Sequence, residues 1–116
     1  RAAVRWQPTL YGFPITAPPE AHNVSASSDK VTFTWSGALY ATTYDVVRGV
    51  TTGLPVGPGA GDEVCFDNVA GTALSDATVP PAGVAFWYLA RGENTCGLGS
   101  YGQQHDGTPR ITTTCP

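Results

Sequence analysis

Short runs of alternating polar and apolar residues occupy much of the chain, and a period of two is typical of half-buried β-strands. In residues 30–35 the apolar side chains of Val31, Phe33 and Trp35 share one face, which we expect to pack in a core. Residues 44–48 show a similar alternation until a glycine interrupts it. Both runs are therefore predicted to be strands.

Five further segments complete a predicted all-β fold with almost no helix. Each is bounded by Gly, Pro, Asn or Asp, the residues that favour turns. They lie at 22–26, 64–66, 73–79 and 86–94, and from Tyr101 onward, where we expect the chain to return antiparallel after a loop. Seven short strands with frequent turns are typical of an immunoglobulin-like sandwich. The residues expected to be buried in it are Trp35, Tyr44, Val46, Phe86 and Tyr88.

Length and charge narrow the class of protein. A chain of 116 residues is expected to form one domain with one core. The net charge of −3, with few and scattered basic residues, argues against a nucleic-acid partner. No apolar run reaches the roughly 18 residues that a membrane-spanning helix needs, so no membrane span is predicted.

Several landmarks follow one another along residues 18–116. They are a leading Pro18-Pro19, Trp35 in the second strand, Tyr44 and Val46 in the third, and an aromatic-led strand that ends at Asn94. In this order they resemble the fibronectin type III module. Residues 87–102, with Cys65-Phe66 and Cys115-Pro116, are similar to the variant of that module found in secreted bacterial proteins. The resemblance implies an extracellular or cell-surface module without catalysis of its own.

The three cysteines have no C-x-x-C pair, a pattern that favours a disulfide over a zinc site. In the topology of the module, Cys65 and Cys96 fall at one end of the sandwich and Cys115 at the other, so of three possible pairings we expect Cys65–Cys96. Cys115 would then be free or intermolecular, whereas a bond between Cys96 and Cys115 requires the terminal strand to fold back. A disulfide indicates an oxidising compartment, and three reduced, buried thiols are the alternative.

The residues that carry chemistry form no recognisable catalytic or cofactor set. Gly97-x-Gly99-x-x-Gly102 matches a dinucleotide fingerprint, but the fingerprint needs a helix next, so we predict a glycine-rich hairpin instead. Ser100 would have to recruit His22 or His105, from opposite ends of the chain, to act as a nucleophile. We therefore expect no enzyme and no cofactor.

Acidic residues in and near the loops could gather around a calcium ion, which binds carboxylate oxygens. No spacing typical of a calcium loop supports such a site, and loop carboxylates are usually solvated. No metal site is therefore predicted from Asp62, Glu63, Asp67 and Asp76.

Trp6 and Trp87 are the aromatic residues expected to face outward, Trp87 because it alternates against the core face of its strand. Exposed rings can stack on sugars, which makes a polysaccharide a possible ligand. Because Leu89 lies on the same side as Trp87, we favour a surface that covers a sheet face or a neighbouring chain.

Residues 1–17 precede the module and are predicted to contain an extended strand. Within Ala2 to Ile15, apolar residues alternate with polar ones at positions 4–10. About 15 extended residues span roughly 50 Å, enough to reach the sheet edge of another copy. A linker, or packing on its own domain, is the alternative. The expected partner contacts are Val4, Trp6, Leu10, Trp87 and Leu89.

Together these expectations indicate a non-catalytic extracellular structural or adhesive module that self-associates into a surface assembly or filament. Because donor and acceptor surfaces differ, the contact would be heterologous and could propagate. The alternative is a spacer or carbohydrate-binding accessory module from a larger secreted enzyme.

Overall fold

Antiparallel β-strands form nearly all the regular structure of the chain. The computed structural model describes residues 9–10, 13–14, 16–56 and 61–116. Its strands are β1 Thr9–Leu10, β2 Phe13–Pro14, β3 His22–Ala26, β4 Thr32–Ser36, β5 Thr43–Val50, β6 Val64–Val69, β7 Ala73–Ser75, β8 Phe86–Asn94 and β9 Gly97–Leu98. Over these ranges the sole helical element is a 3-10 turn at Thr51–Gly53, so the prediction of an all-β fold is confirmed.

Two sheets pack face to face around the core. One has the strand order β3-β4-β7 and the other has the order β6-β5-β8-β9. Alternation along β4 and β5 turns Trp35, Tyr44 and Val46 inward, where they are buried together with Ala21 and Ala90. The two layers are thus arranged as in a β-sandwich.

The predicted core is confirmed at its centre. Trp35, Tyr44 and Val46 keep 5%, 6% and 1% of their surface exposed. Phe86 and Tyr88, which we also expected to be largely buried, are only half-buried. Both belong to the end of β8 that lies near the ion pair between Arg48 and Asp76. Polar contacts replace some of the apolar packing there.

That ion pair also shortens β7, which ends at Ser75 although a strand was predicted over 73–79. Asp76 comes next and accepts hydrogen bonds from the Thr78 backbone N–H at 3.1 Å, from Arg48 Nη1 at 2.8 Å and from the Tyr88 hydroxyl at 2.8 Å. The bond to Thr78 closes a local turn of the kind that aspartate favours, so the strand stops there.

After β9 the chain covers the outer face of the four-stranded sheet. Only Gly97–Leu98 pairs with β8, so the antiparallel strand predicted from Tyr101 onward is not formed. Gly102 and Gly107 have φ angles of +87° and +89°, which glycine adopts easily and which redirect the chain. Tyr101 then packs with Val47 in a second apolar cluster on this outer face.

The predicted Cys65–Cys96 disulfide is wrong, because Cys65 is bonded to Cys115. Cys65 in β6 pairs with Val47 in β5, and Val47 pairs in turn with Leu89 in β8. Cys96, by contrast, follows the far end of β8. Five residues of strand place that end roughly 17 Å from Leu89, beyond the reach of a disulfide. Cys115 reaches Cys65 because the terminal segment folds back across the sheet, and Cys96 is exposed in the turn before β9.

The N-terminal segment is not one continuous strand. Thr9 pairs with Pro14 and Leu10 with Phe13, so the chain reverses between β1 and β2. Over its described residues, 9–10 and 13–14, this small hairpin pairs with no strand of the two larger sheets. Val4 and Trp6, the other residues of the predicted apolar face, lie outside the described residues.

Candidate functional site

β8 is the longest strand of the sandwich, and it is fully paired on one side only. Along its whole length, from Phe86 to Asn94, it pairs with β5. On the other side only Glu93 and Asn94 pair with the short β9. A long stretch of β8 therefore lacks a neighbouring strand on that side.

Hydrogen-bond alternation identifies the backbone groups on the unpaired side. Thr51 N donates to Ala85 O at 2.9 Å, and Gly99 N donates to Gly92 O at 2.8 Å. Successive residues of an antiparallel ladder point their N–H and C=O groups to opposite sides, so odd-numbered β8 residues face β5. The groups facing away belong to Phe86, Tyr88 and Ala90, and no described residue makes a backbone hydrogen bond to them there. We call these groups the open edge.

The other edges of the sandwich are irregular or short. β3 shifts register between His22 and Ser25, and Asn23 in it has a φ angle of +61°. β6 meets a register shift opposite Tyr44 and Val46, while β7 has only three residues. Bulges and short strands are the usual means by which a sheet avoids pairing at its edges. The open edge of β8 has neither protection.

Residues 112–116 pack across the outer face of the same sheet, and we call this segment the C-terminal clasp. Arg91 approaches Asp45 Oδ2 through Nε at 3.1 Å and Nη2 at 3.0 Å, and Asp45 is fully buried. Arg91 Nη2 also donates to the backbone oxygens of Cys115 at 3.3 Å and Pro116 at 3.2 Å. The ion pair thus fixes both β8 to β5 and the clasp to the sheet.

Glu63 and the disulfide hold the clasp from the side of β6. The Glu63 carboxylate accepts hydrogen bonds from the hydroxyls of Thr112 and Thr114, the latter at 2.8 Å. Cys115, the residue after Thr114, forms the disulfide with Cys65. Sequence reasoning missed the clasp, although Val46 and Val47 gave a signal. Two adjacent apolar residues in one strand indicate that both faces of the sheet are covered.

Trp87 and Leu89, two of the predicted partner contacts, pack beside the clasp. Both are half-buried against the cluster of Val47, Tyr101 and Cys115. The Trp87 indole N–H donates to Val50 O at 3.0 Å. Their contact with a second chain stays a prediction, and the surface available for it is the part that the clasp leaves uncovered.

The aromatic rings of the described side chains offer no exposed platform for sugars. Every Phe, Trp and Tyr whose burial is described is buried or half-buried. One face of the Trp87 ring lies on Gly49, where an added Cβ would come within 2.2 Å of the ring. A stacking site for polysaccharide would therefore depend on aromatic residues outside this set, Trp6 among them.

The carboxylates considered for calcium do not come together in one place. Asp62 accepts Val50 N at 3.0 Å, whereas Glu63 holds the clasp and Asp76 pairs with Arg48. The residues that do gather are Asp45, Asp67 and Glu93, whose carboxylates approach within 4.8 Å. The hydrogen bond with Asp45 raises the pKa of Asp67. Arg91 already pairs with Asp45 and the Thr43 hydroxyl already donates to Glu93, so we assign no metal to this cluster.

The residues weighed for catalysis lie in separate places. Ser100 Oγ accepts the backbone N–H of Gly102 at 2.8 Å, as in a turn. His22 and His105 are both exposed, His22 at the start of β3 and His105 in the loop after β9. The glycine-rich motif forms a hairpin with β8 as expected, but the returning strand is Gly97–Leu98 rather than the residues from Tyr101 onward, which form a loop.

Comparison with known proteins adds no relative. The chain matches no protein family, no curated protein and no solved structure. Among the described residues, no helix is long and apolar enough to cross a membrane.

Proposed function

We propose that this chain is a non-catalytic extracellular structural module of the fibronectin type III kind, which self-associates through its N-terminal segment into a filament or surface assembly. The observation that carries the proposal is the open edge of β8. A regular strand edge without a pairing partner is a template for pairing with another chain. The same molecule has an N-terminal segment whose described strands, Thr9–Leu10 and Phe13–Pro14, pair with neither sheet of the sandwich.

The order of the strands supports a module of the fibronectin type III kind. The chain passes from β4 to β5 in the opposite sheet, returns from β6 to β7, and crosses again to β8. Such crossings between two antiparallel sheets are typical of Greek-key sandwiches, the group to which immunoglobulin-like and fibronectin type III domains belong.

The disulfide supports the extracellular location in this proposal. Cys65 and Cys115 are bonded with a Cα–Cα distance of 5.1 Å, and Cys115 is buried. Disulfides persist mainly in oxidising surroundings such as the cell exterior. An extracellular module that must hold its shape without cellular chaperones would benefit from a cross-linked C-terminal clasp.

Sedimentation velocity tests the proposal. The full chain should form large species at high concentration, whereas residues 16–116 should sediment as a folded monomer. Replacing Val4, Trp6 and Leu10 together by Ser keeps the length of the segment and should also give a monomer. Val79→Ser, at a position that is 81% exposed, serves as the control and should assemble like the unmodified chain. A full chain that stays monomeric at every concentration rejects self-association.

A further inference from the structure

The open edge presents backbone groups at every second residue, which sets a geometric requirement on any strand that occupies it. Phe86, Tyr88 and Ala90 each offer one N–H and one C=O. Ala90 keeps only 4% of its surface exposed, so the residues that cover it must move aside before a strand can pair with its backbone groups. Unpaired backbone groups in such a position are costly, and an added strand would remove that cost.

We propose that a second copy of the chain fills the open edge with residues 4–10, added antiparallel to β8. This inference rests on the proposed function, since it names the acceptor for the N-terminal segment. Three residues of the segment, Arg5, Gln7 and Thr9, bond to the open edge.

Proline determines which residues of the segment face β8. Pro8 has no N–H, so it must point its backbone away from the acceptor strand. Because the direction alternates from residue to residue, Arg5, Gln7 and Thr9 then face β8. These three residues at alternate positions match the three residues of the open edge.

The side chains determine the direction of the added strand. In an antiparallel ladder, directly opposite residues share a face, so Val4, Trp6 and Leu10 fall on the face of Trp87 and Leu89. A parallel strand would instead place the polar residues over that apolar face.

The opposite face suits the polar side chains of the segment. Arg5, Gln7 and Thr9 would lie on the side of β3, where four of the five strand residues are exposed. Antiparallel addition thus joins apolar to apolar on the outer face, and it places the polar side chains beside β3, at the rim of the inner face that carries Phe86, Tyr88 and Ala90.

The segment must leave the β1–β2 hairpin to make this contact. That hairpin contains two paired positions, Thr9 with Pro14 and Leu10 with Phe13. An isolated two-stranded hairpin is marginal in water, so exchanging it for a ladder on β8 is favourable. About 15 residues precede the sandwich and span roughly 50 Å when extended, which is enough to reach a neighbouring copy.

Hydrogen exchange of the full chain tests the acceptor. On assembly the amides of Phe86, Tyr88 and Ala90 should become protected by at least about tenfold, while those of Trp87 and Leu89, already bonded to β5, should change little. If the chain assembles and the three even-numbered amides keep their exchange rates, the acceptor is wrong although self-association stands. Equal protection in the dilute monomer would mean that the segment pairs with its own β8, which also overturns the inference.

A matched pair of variants tests the donor. Gln7→Pro removes an N–H that should face β8, whereas Gln7→Ala keeps it. The concentration for half-assembly should rise about tenfold or more in Gln7→Pro and stay within about threefold in Gln7→Ala. Equal effects of the two substitutions would overturn the proposed hydrogen-bonding set. A full chain that never assembles would instead reject the proposed function itself.

Discussion

Arg91 Nη2 lies 3.0 Å from the carboxylate of Asp45, and this ion pair is buried between the four-stranded sheet and the C-terminal clasp. Removing one partner of a buried pair leaves the other charge without compensation. We therefore predict that Asp45→Ala lowers the free energy of unfolding by about 3–5 kcal/mol, measured by urea denaturation.

The control for Asp45→Ala is a polar contact on the surface. His22 Nδ1 lies 3.8 Å from Glu20, and both side chains are substantially exposed. His22→Ala should change the free energy of unfolding by no more than about 0.5 kcal/mol. Equal losses in the two variants would contradict a stabilising role for the Asp45–Arg91 pair.

Trp35 tests the sandwich core. Its ring packs edge-on against Tyr44 with centroids 5.6 Å apart, and its Nε1 has no hydrogen-bond partner among the described residues. The loss on truncation is therefore a loss of packing. Trp35→Ala should cost about 3–5 kcal/mol in urea denaturation. Val79→Ala, at an exposed position, should be nearly neutral, and a urea midpoint indifferent to Trp35→Ala would refute the placement of this ring.

The Cys65–Cys115 disulfide joins residues that are 50 positions apart. Replacing both cysteines by serine should lower the free energy of unfolding by about 4 kcal/mol, because the unfolded chain regains the entropy of an open loop. Non-reducing peptide mapping should join the peptides of Cys65 and Cys115, and should do so equally in Cys96→Ser. A peptide that joins Cys96 to either of the other two cysteines would contradict the fold of the clasp.

Asp76 makes stability depend on pH. Burial raises the pKa of this carboxyl, but hydrogen bonds from Arg48, Thr78 and Tyr88 outweigh burial and lower its pKa to about 2. The unfolded carboxyl titrates near about 3.9. Because the folded pKa is the lower one, the stabilisation is complete above about pH 5 and is lost as the pH falls toward 2.

The measurement for Asp76 is a series of urea midpoints between pH 2 and pH 7. The shift corresponds to about 2–3 kcal/mol, which Asp76→Asn should lose at neutral pH. The variant should also show a shallower loss of stability between about pH 4 and pH 2. If both chains lose stability over this range with the same slope, Asp76 does not carry the effect.

Local patterns predicted the strands whose alternation is strong, and non-local contacts account for the rest. The pattern at 86–94 coincides with β8, and the apolar positions of β4 and β5 gave Trp35, Tyr44 and Val46 as core. The pattern did not show that β9 would stop after two residues. That ending depends on the outer face of β5 and β8, which the clasp covers.

The disulfide and the open edge were missed for the same reason. Cys65 finds Cys115 only because Arg91 and Glu63 hold residues 112–116 across the sheet, and these contacts join parts of the chain far apart in sequence. Once the chain leaves the sheet at Gly99, β8 keeps an unpaired side. The N-terminal pattern suggested a donor strand from residues alone, but the acceptor edge emerged only from the pairing of the strands.

The most direct test of self-association is the length of filaments formed from a mixture of two chains. Residues 16–116 keep the open edge but lack the donor segment, so they should add to one end of a filament and block further growth. Negative-stain electron microscopy should show long filaments of the full chain, with a mean length that falls as the fraction of the shorter chain rises. Filaments of unchanged length, or a full chain that forms none, would contradict donor-to-edge assembly.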